Sequence, residues 1–383
     1  MKAAKPGQSG EETALSAQVP APGPGQPGPT QGEPQPPGPR QPAPAQHAPT
    51  PPGLGQPGPT QPVVCVLGVF DGFHRGHQFL VSEAEAESKS LGLPCLVVTF
   101  DRDPDELFLA PPDCHKLLSN RERLQLLAAD GQRQLLALTF DQALAGLEAK
   151  DFLEHLLRAR CHPVGLHVGD DFRFGRQAAG DVALLQAWGD QVGCRVHAHA
   201  LLDDGGQAVT ARRIRSCLAT AQLAEANHLL TRPHHLQGQV VRGRGVGKGL
   251  GFPTANVAPD DGVMLPADGV YAGRAVVLGG AKGTAGAGGT AGAGGTEGAT
   301  GTEGAKAYPA AISVGVPLTF AQAEKGLVPT LEATLLDYEG DLYGCELRLE
   351  FLEYLRPMQG FASPELLRAQ IASDVQQTRQ AAG

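Results

Sequence analysis

From residue 63 onward, short apolar runs alternate with longer amphipathic stretches. The runs have the length of buried β-strands, and the stretches between them carry apolar residues at helical spacing. Strands that alternate with helices form βαβ units, in which helices cover both faces of a parallel sheet. The predicted strands are residues 63–68, 94–100, 134–140, 164–169 and 195–202, and the predicted helices are residues 75–91, 120–129, 149–161 and 181–192.

The alternation stops after one more predicted helix, at residues 213–230. Short strand-like segments with glycine-rich turns follow, which favours a small barrel or sandwich. A final amphipathic helix is predicted at residues 364–377. We therefore expect an α/β domain followed by a small all-β domain. The strands predicted for the second domain are residues 236–242, 269–278, 307–314, 330–336 and 345–355.

Glycine and proline are concentrated in two segments of the 383-residue chain. More than half of the 32 prolines precede residue 63, where large apolar side chains are scarce, so residues 1–62 are predicted to be a disordered tail. A Gly/Thr/Ala tract at residues 279–306 is predicted to be a flexible insert, because long insertions add little closure entropy. The remaining domains are residues 63–222 and 236–380, with a linker at residues 223–235.

The net charge and the cysteine content indicate which partners and which cellular compartment are expected. The net charge is -9 and the basic residues form no long block, so neither nucleic acid nor an anionic membrane is expected as a partner. The seven cysteines are odd in number and form no C-x-x-C pair, which is typical of a reducing compartment. Without an apolar leader or a long apolar run, a cytoplasmic location is expected. The sequence does not identify a protein partner.

The first motif, Gly-Val-Phe-Asp-Gly-Phe-His-Arg-Gly-His at residues 68–77, follows an apolar strand and opens a helix. The free backbone N–H groups and the positive dipole end at such a junction suit a phosphate. His74 and His77 share one face of the first turn, and Gly76 lets a polyphosphate approach the backbone. Imidazoles there can hydrogen-bond the oxygens of a leaving pyrophosphate. The alternative is that one histidine starts the helix and the other is a satisfied core group.

The second motif is a glycine-rich run at residues 243–251 that ends in Phe252-Pro253-Thr254-Ala255-Asn256. It is not a Walker loop, because the Ser or Thr after the lysine is replaced by Gly249. Its alternative interpretation is a mobile hairpin loop. The Thr254 hydroxyl and the Asn256 amide oxygen lie on one side of an extended segment, and such oxygens suit Mg²⁺.

Residues 68–77 resemble the H-x-G-H signature of nucleotidyltransferases and, with the G-x-F-D-G prefix, the N-terminal module of bacterial bifunctional riboflavin kinase/FAD synthetases. Residues 168–175 with Gly180-Asp181 resemble that family's second loop, and residues 213–215 resemble the end of its third. The resemblance implies a Rossmann-like nucleotidyltransferase domain in which His74 and His77 bind the ATP phosphates. The other nucleotide-binding residues that it implies are Gly68, Phe70, Asp71, Gly76, Asp171, Phe172 and Arg215.

Residues 252–256 resemble the G-x-P-T-A-N signature of riboflavin kinases, and the match continues at residues 269–272, 331–333, 337–344 and 355–357. The resemblance implies a riboflavin kinase-like β-barrel with a C-terminal helix. Glu332 stands at the family's general-base position, and Thr254 and Asn256 are assigned to Mg²⁺. The nucleotide-binding residues implied for this domain are Gly247, Lys248, Gly251 and Pro253.

The implied activity has two steps. Riboflavin and ATP give FMN in the barrel, and FMN and ATP then give FAD and pyrophosphate in the α/β module. Phosphorylating an alcohol needs a base on the hydroxyl and a metal to neutralise the phosphate charge, which are the roles assigned to Glu332 and Mg²⁺. Riboflavin, FMN and ATP are the expected ligands.

The chain departs from the family pattern at three segments. Thr210-Ala211-Arg212 stands where the family has Ser-Ser-Thr, residues 101–104 replace Pro-His-Pro, and Pro317-Leu318-Thr319-Phe320 replaces Asn-Pro-Thr-Phe. Two alternatives follow from these departures. One is a riboflavin kinase with a degenerate adenylyltransferase module, and the other is a flavin- or nucleotide-binding regulator without turnover.

Five other residues are predicted to be structural. His234 and His235 have no cysteine or carboxylate at ligand spacing, so a metal site there is not expected. Trp188, in an amphipathic helix, is predicted to pack in the core. His197 and His199 alternate along a strand and are predicted to share its solvent-facing side.

Overall fold

The computed structural model describes residues 61–109, 115–129, 133–243, 252–279, 306–316 and 330–383. These residues belong to one compact unit, Thr50–Gly383. Several predictions fall outside the described residues and stay predictions: most of the tail, most of the Gly/Thr/Ala insert, the sites Gly247, Lys248 and Gly251, and the segment 317–320.

The first half forms a five-stranded parallel sheet in the order β3-β2-β1-β4-β5. All residues of β1 and β2 are buried, as expected for central strands that helices cover on both faces. The prediction of a parallel α/β sheet is confirmed. The strands are β1 (Val63–Leu67), β2 (Cys95–Phe100), β3 (Arg133–Leu138), β4 (Pro163–Gly169) and β5 (Arg195–His199).

The helices begin and end at residues that the sequence marks. His74 caps the first helix and Gly92, in the left-handed region at φ 65°, ends it, while Ser119 forms a capping box with Glu122. The helices are α1 (Arg75–Leu91), α2 (Asp105–Phe108), α3 (Asn120–Ala128), α4 (Gln142–Ala145), α5 (Ala149–Asp151), α6 (Ala159–Cys161), α7 (Val182–Val192), α8 (Ala211–Ala219) and α9 (Leu223–Leu230).

Two predicted helices differ in detail from the structure. The helix predicted at residues 213–230 is two helices, α8 and α9, because Ala221 adopts a left-handed φ of 58° between them. The helix predicted at residues 149–161 contains a π-helical segment, Phe152–Arg158, between α5 and α6. The segment predicted as a linker, residues 223–235, contains α9, whose apolar side is buried.

The second half is a closed antiparallel barrel in the strand order β10-β7-β6-β11-β8-β9. The sequence prediction missed β7, which lies directly after the Phe-Pro-Thr motif. A long helix, α10 (Pro364–Ala382), follows the last strand. The strands are β6 (His234–Val241), β7 (Ala255–Pro259), β8 (Gly269–Gly279), β9 (Ala307–Gly315), β10 (Thr330–Leu335) and β11 (Glu346–Arg356).

Three apolar cores hold these elements together. One fills the sheet face towards α7 and includes Trp188, which confirms its predicted packing role. A second fills the opposite face, beneath α1. The third fills the barrel and continues into α8 and α9, so Leu218 and Leu229 share a core with Leu349. The barrel and the helices before it are therefore stabilised by the same burial of apolar area.

Polar contacts also join the sheet half to the barrel. Arg121 of α3 donates to Gln237 and pairs with Glu346. Glu122 lies 3.0 Å from Nε2 of His235, so this histidine at the domain junction does face a carboxylate. None of the described helices is long and apolar enough to cross a membrane.

Two Arg–Asp pairs anchor α10, and they differ in burial. The Asp374 carboxylate is 4% exposed and accepts from Arg356 at 2.7 to 3.2 Å, whereas the Asp337 carboxylate is 64% exposed and pairs with Arg379. We expect Asp374→Ala to lower the free energy of unfolding by about 3 kcal/mol or more, because it leaves the largely buried Arg356 cation unpaired. The change Asp337→Asn, in the exposed pair, should cost far less, because that carboxylate is largely solvated and Asn tolerates the left-handed φ of 60° at this position. Urea unfolding of both variants measures this, and equal losses would contradict it.

Candidate active sites

The loop after β1 carries the first motif and ends at the helix cap His74. Nδ1 of His74 accepts from the backbone N–H of His77 at 3.4 Å, which assigns its proton to Nε2. The two imidazole rings stack with centroids 3.7 Å apart, and Phe70 contacts His77 edge-on. His77 Nδ1 is buried without a hydrogen-bond partner among the described residues. One histidine is thus a helix-start residue, as the alternative interpretation held, but the other is not a satisfied core group.

Both imidazoles are neutral in the folded protein near pH 7. Burial, together with the neighbouring positive charges of Arg232 and Arg215, lowers the pKa of His74 to about 4. Burial also lowers the pKa of His77 well below its ordinary value. A neutral imidazole offers one N–H donor, so each ring is suited to hydrogen-bond a phosphate oxygen rather than to supply a charge.

A cavity of about 250 Å³ opens beside these rings at the carboxyl ends of β1, β4 and β5. This is the end of an open parallel sheet at which ligands bind. His199, which was predicted to be structural, and Thr210 of the divergent third-loop segment also line it. The structure brings seven of the predicted residues to the cavity wall: Gly68, Phe70, His74, Gly76, His77, Asp171 and Phe172.

Asp71 and Arg215 lie beside the cavity rather than in its wall. The buried Asp71 carboxylate accepts from the N–H of Leu117 and from Nη2 of Arg215 at 2.7 Å. Nε of Arg215 donates to the His115 carbonyl at 2.6 Å. Burial raises the pKa of Asp71, although the Arg215 charge opposes that rise. Asp71 therefore positions Arg215 instead of presenting its carboxylate to a ligand.

The segment that departs from the family's third loop, residues 210–212, lies among the residues that the structure describes. Thr210 lines the cavity and caps α8, where its hydroxyl accepts from the N–H of Arg213. The side chain of Arg212 is exposed. One hydroxyl therefore remains at this edge of the cavity, and its oxygen accepts the cap hydrogen bond from the N–H of Arg213.

The second motif leads into β7, and the pairing of β7 with its neighbouring strands determines which residues the motif faces. Asn256 of β7 stands directly opposite Glu332 of β10 in the antiparallel register. Directly opposed residues project to the same face with their Cβ atoms about 5 Å apart. Their neighbours Ala255, Leu331 and Ala333 are buried in the barrel core, so the amide and the carboxylate share its outer face. Both side chains are half-buried.

Ser313 extends this row on the other side of Glu332, where β9 pairs with β10. Sequence reasoning did not single out Ser313, because the pairing of β9 with β10 is not encoded in any local pattern. Thr254 is half-buried and Pro253 is exposed, immediately before β7. The row therefore consists of an amide, a carboxylate and a hydroxyl on three adjacent strands.

The start of the glycine-rich run contacts Asn256. A Cβ built on Gly243 would lie 2.0 Å from Nδ2 of Asn256, so only a residue without a side chain lets the backbone pass there. The amide is thus held between β10 and the chain that leads to the glycine-rich loop. The oxygens of Thr254 and Asn256 are of the type that Mg²⁺ prefers, so this donor set fits the cation.

Two family models match the chain, one to each half of the described fold. A model of FAD synthetase matches residues 57–213, and a model of riboflavin kinase matches residues 230–382. A parallel α/β domain of the first kind, followed by a barrel of the second, defines a two-domain enzyme class that uses ATP on flavins.

Curated relatives carry both domains in one chain. The bifunctional riboflavin kinase/FMN adenylyltransferase of Escherichia coli K12 is 35% identical over 311 residues, which cover 81% of this chain and 90% of the relative. That of Pseudomonas fluorescens is 32% identical over 316 residues, which cover 82% of this chain and 92% of the relative. The chain belongs to this family of bifunctional riboflavin kinase/FMN adenylyltransferases, which confirms the resemblance found in the sequence.

A solved structure also shares the two-domain fold. It is described as a macrolide-efflux protein from Streptococcus pneumoniae and is 27% identical to this chain, with a TM-score of 0.69. The match covers 84% of this chain and 95% of that chain. It supports the architecture of both halves together.

The buried histidine pair makes stability depend on pH. Because the pKa of His74 is about 4 when folded and 6.5 when unfolded, the unfolded chain binds more protons in this window and stability falls as the pH falls. His74→Asn keeps a capping side chain. We expect the loss of unfolding free energy between pH 7 and pH 4 to be smaller in His74→Asn by about 3 kcal/mol.

Urea unfolding across that pH range measures the difference. The exposed His155, which only approaches Asp151 at 3.8 Å, provides the control variant His155→Asn, for which the wild-type pH dependence should persist. If His74→Asn and the wild type lose stability in parallel, His74 is not held neutral by the fold.

Proposed function

We propose that the barrel phosphorylates riboflavin to FMN and that the cavity of the α/β domain then adenylylates FMN to FAD, with ATP as the second substrate of both steps. The single observation that carries this proposal is the direct pairing of Asn256 with Glu332. It brings an amide suited to Mg²⁺ and a carboxylate suited to act as a base to one face, and phosphoryl transfer to an alcohol needs that combination.

In the kinase step, Glu332 accepts the proton of the ribityl 5'-hydroxyl as that oxygen attacks the γ-phosphorus of ATP. The bond between the γ-phosphorus and the bridging oxygen breaks, and ADP leaves. Thr254 and Asn256 would hold Mg²⁺, which neutralises charge on the phosphates when it is bound. Gly243 supports this role, because it leaves space for the Asn256 amide.

In the adenylyl step, a phosphate oxygen of FMN attacks the α-phosphorus of ATP and pyrophosphate leaves. The neutral imidazoles of His74 and His77 donate hydrogen bonds to the phosphate oxygens on which charge grows. Arg215, held by Asp71, adds positive charge beside the cavity. The stacked rings at 3.7 Å and their shared cavity support this assignment. A cytoplasmic location stays a prediction.

Product analysis tests both steps at once. The purified chain is incubated with riboflavin, ATP and Mg²⁺, and the flavins are separated by chromatography. We expect FMN to form first and FAD to follow with release of pyrophosphate. FMN without FAD would contradict the adenylyl step and favour the kinase-only alternative that the Thr210-Ala211-Arg212 segment motivates. The absence of both would contradict the whole proposal.

Glu332→Gln separates the two activities. The amide keeps the shape of the side chain but accepts no proton at neutral pH, so the rate of FMN formation should fall by about 100-fold or more. FAD formation from supplied FMN should be unchanged, which also shows that the variant is folded. Glu353→Gln, on an exposed position of β11, is the matched control and should leave both rates unchanged. A kinase rate for Glu332→Gln within about three-fold of the wild type would remove Glu332 from the mechanism.

A further inference from the structure

A polar cluster lies between α1 and the edge of the parallel sheet. Glu87 comes from α1, His167 from β4 and His197 from β5, and the two histidines are direct neighbours in the register of β4 and β5. The His167 and Glu87 side chains are 4% and 12% exposed. His197 and His199 do share one side of β5, as predicted; that side contacts Glu87 and His167, and the His197 side chain remains 42% exposed.

Three potential ligand atoms converge in this cluster. Nε2 of His167 lies 2.7 Å and Nε2 of His197 lies 3.4 Å from the same carboxylate oxygen of Glu87, and all three atoms are within 4.8 Å of one another. Nε2 of His197 is buried and has no hydrogen-bond partner among the described residues. Burying a nitrogen without a hydrogen-bond partner costs free energy. The position of this nitrogen close to the Glu87 carboxylate therefore needs an explanation.

We propose that Glu87, His167 and His197 bind a divalent transition metal ion of the Zn²⁺ class. Two imidazole nitrogens and one carboxylate oxygen suit Zn²⁺ or Co²⁺, whereas Mg²⁺ and Ca²⁺ prefer oxygen ligands alone. A water molecule completes a tetrahedral set. The site is separate from the Mg²⁺ site assigned to Thr254 and Asn256 and does not rest on the proposed function.

Neighbouring side chains orient the proposed ligands by hydrogen bonds and ion pairs, as they do in metal sites of known proteins. Nδ1 of His167 lies 3.0 Å from Nε2 of His199, which leaves Nε2 of His167 for the metal when Nδ1 carries the proton. Arg195 holds the second oxygen of Glu87 at 2.6 Å.

The backbone of β4 makes room for the carboxylate. A Cβ built on Gly165 would lie 2.5 Å from Oε2 of Glu87, the oxygen on which both histidines converge. His199 also lines the nucleotide cavity, so it connects the cluster to the cavity wall. Metal binding therefore fixes the positions of β4, β5 and α1 behind that wall.

Cobalt titration tests the proposal on the full-length chain after treatment with a chelator. We expect Co²⁺ to give visible ligand-field absorption with one high-affinity ion per chain, and Zn²⁺ to displace it and to raise the unfolding temperature. His197→Ala should weaken Co²⁺ binding by about 10-fold or more and abolish the thermal effect of Zn²⁺. The control His155→Ala, on an exposed helical position, should bind as the wild type does.

A second variant covers the case in which His197→Ala does not fold. Glu87→Gln keeps the size of the side chain and removes the anionic ligand, so its Co²⁺ affinity should fall by a similar factor of about 10 or more. Metal-free circular dichroism checks that each variant is folded. A wild-type chain without a Co²⁺ spectrum, or a spectrum that survives unchanged in the folded variants, would overturn the proposal.

Discussion

The register of strand pairing in the barrel is the constraint on which the kinase site depends. Leu331 and Ala333 are buried in the core, and Glu332 between them is directed to the outer face opposite Asn256. A slip of one residue would turn the carboxylate into the apolar core and expose its two neighbours, which burial of apolar area opposes. The same forces that close the barrel therefore position the proposed base, Glu332, beside the proposed metal-binding amide of Asn256.

The junction between the two halves contains a buried arginine whose charge is stabilised by specific hydrogen-bond partners. Arg232, which leads from α9 into the barrel, donates to the carbonyls of Gly72 and Phe73 in the turn before His74. Burial lowers the pKa of Arg232 to about 10. Since a buried cation is costly without partners, these carbonyls and the guanidinium depend on one another. The turn that presents the histidines is thus supported from the barrel side of the chain.

Most of the architecture could be predicted from the sequence, because periodic burial leaves a local signal. The helix predicted at residues 75–91 matches α1 at both ends, since its cap His74 and its terminating Gly92 are visible in the chain. Ala221 was missed because the apolar period continues through the break between α8 and α9. The pairing of Ser313 with Glu332 was missed for a different reason, because register across a barrel is a non-local property.

The distinction between local and non-local signals also applies to the two groups of histidines. His74 and His77 are close in sequence, and their motif predicted a shared site. The Glu87, His167 and His197 cluster is drawn from three separate elements, and alternation along β5 alone predicted solvent for a side that Glu87 of α1 partly covers.

In the cavity of the α/β domain, hydrogen bonding and positive charge come from different side chains. Burial keeps the imidazole of His74 neutral, while Arg215 and Arg232 supply the positive charge beside it and lower its pKa further. A bound polyanion acts in the opposite direction, because it favours the protonated imidazole and raises that pKa. By linkage, proton uptake at His74 and binding of such a polyanion would favour each other. At neutral pH the cavity offers donors whose geometry is fixed by the helix cap and the ring stack, before any ligand arrives.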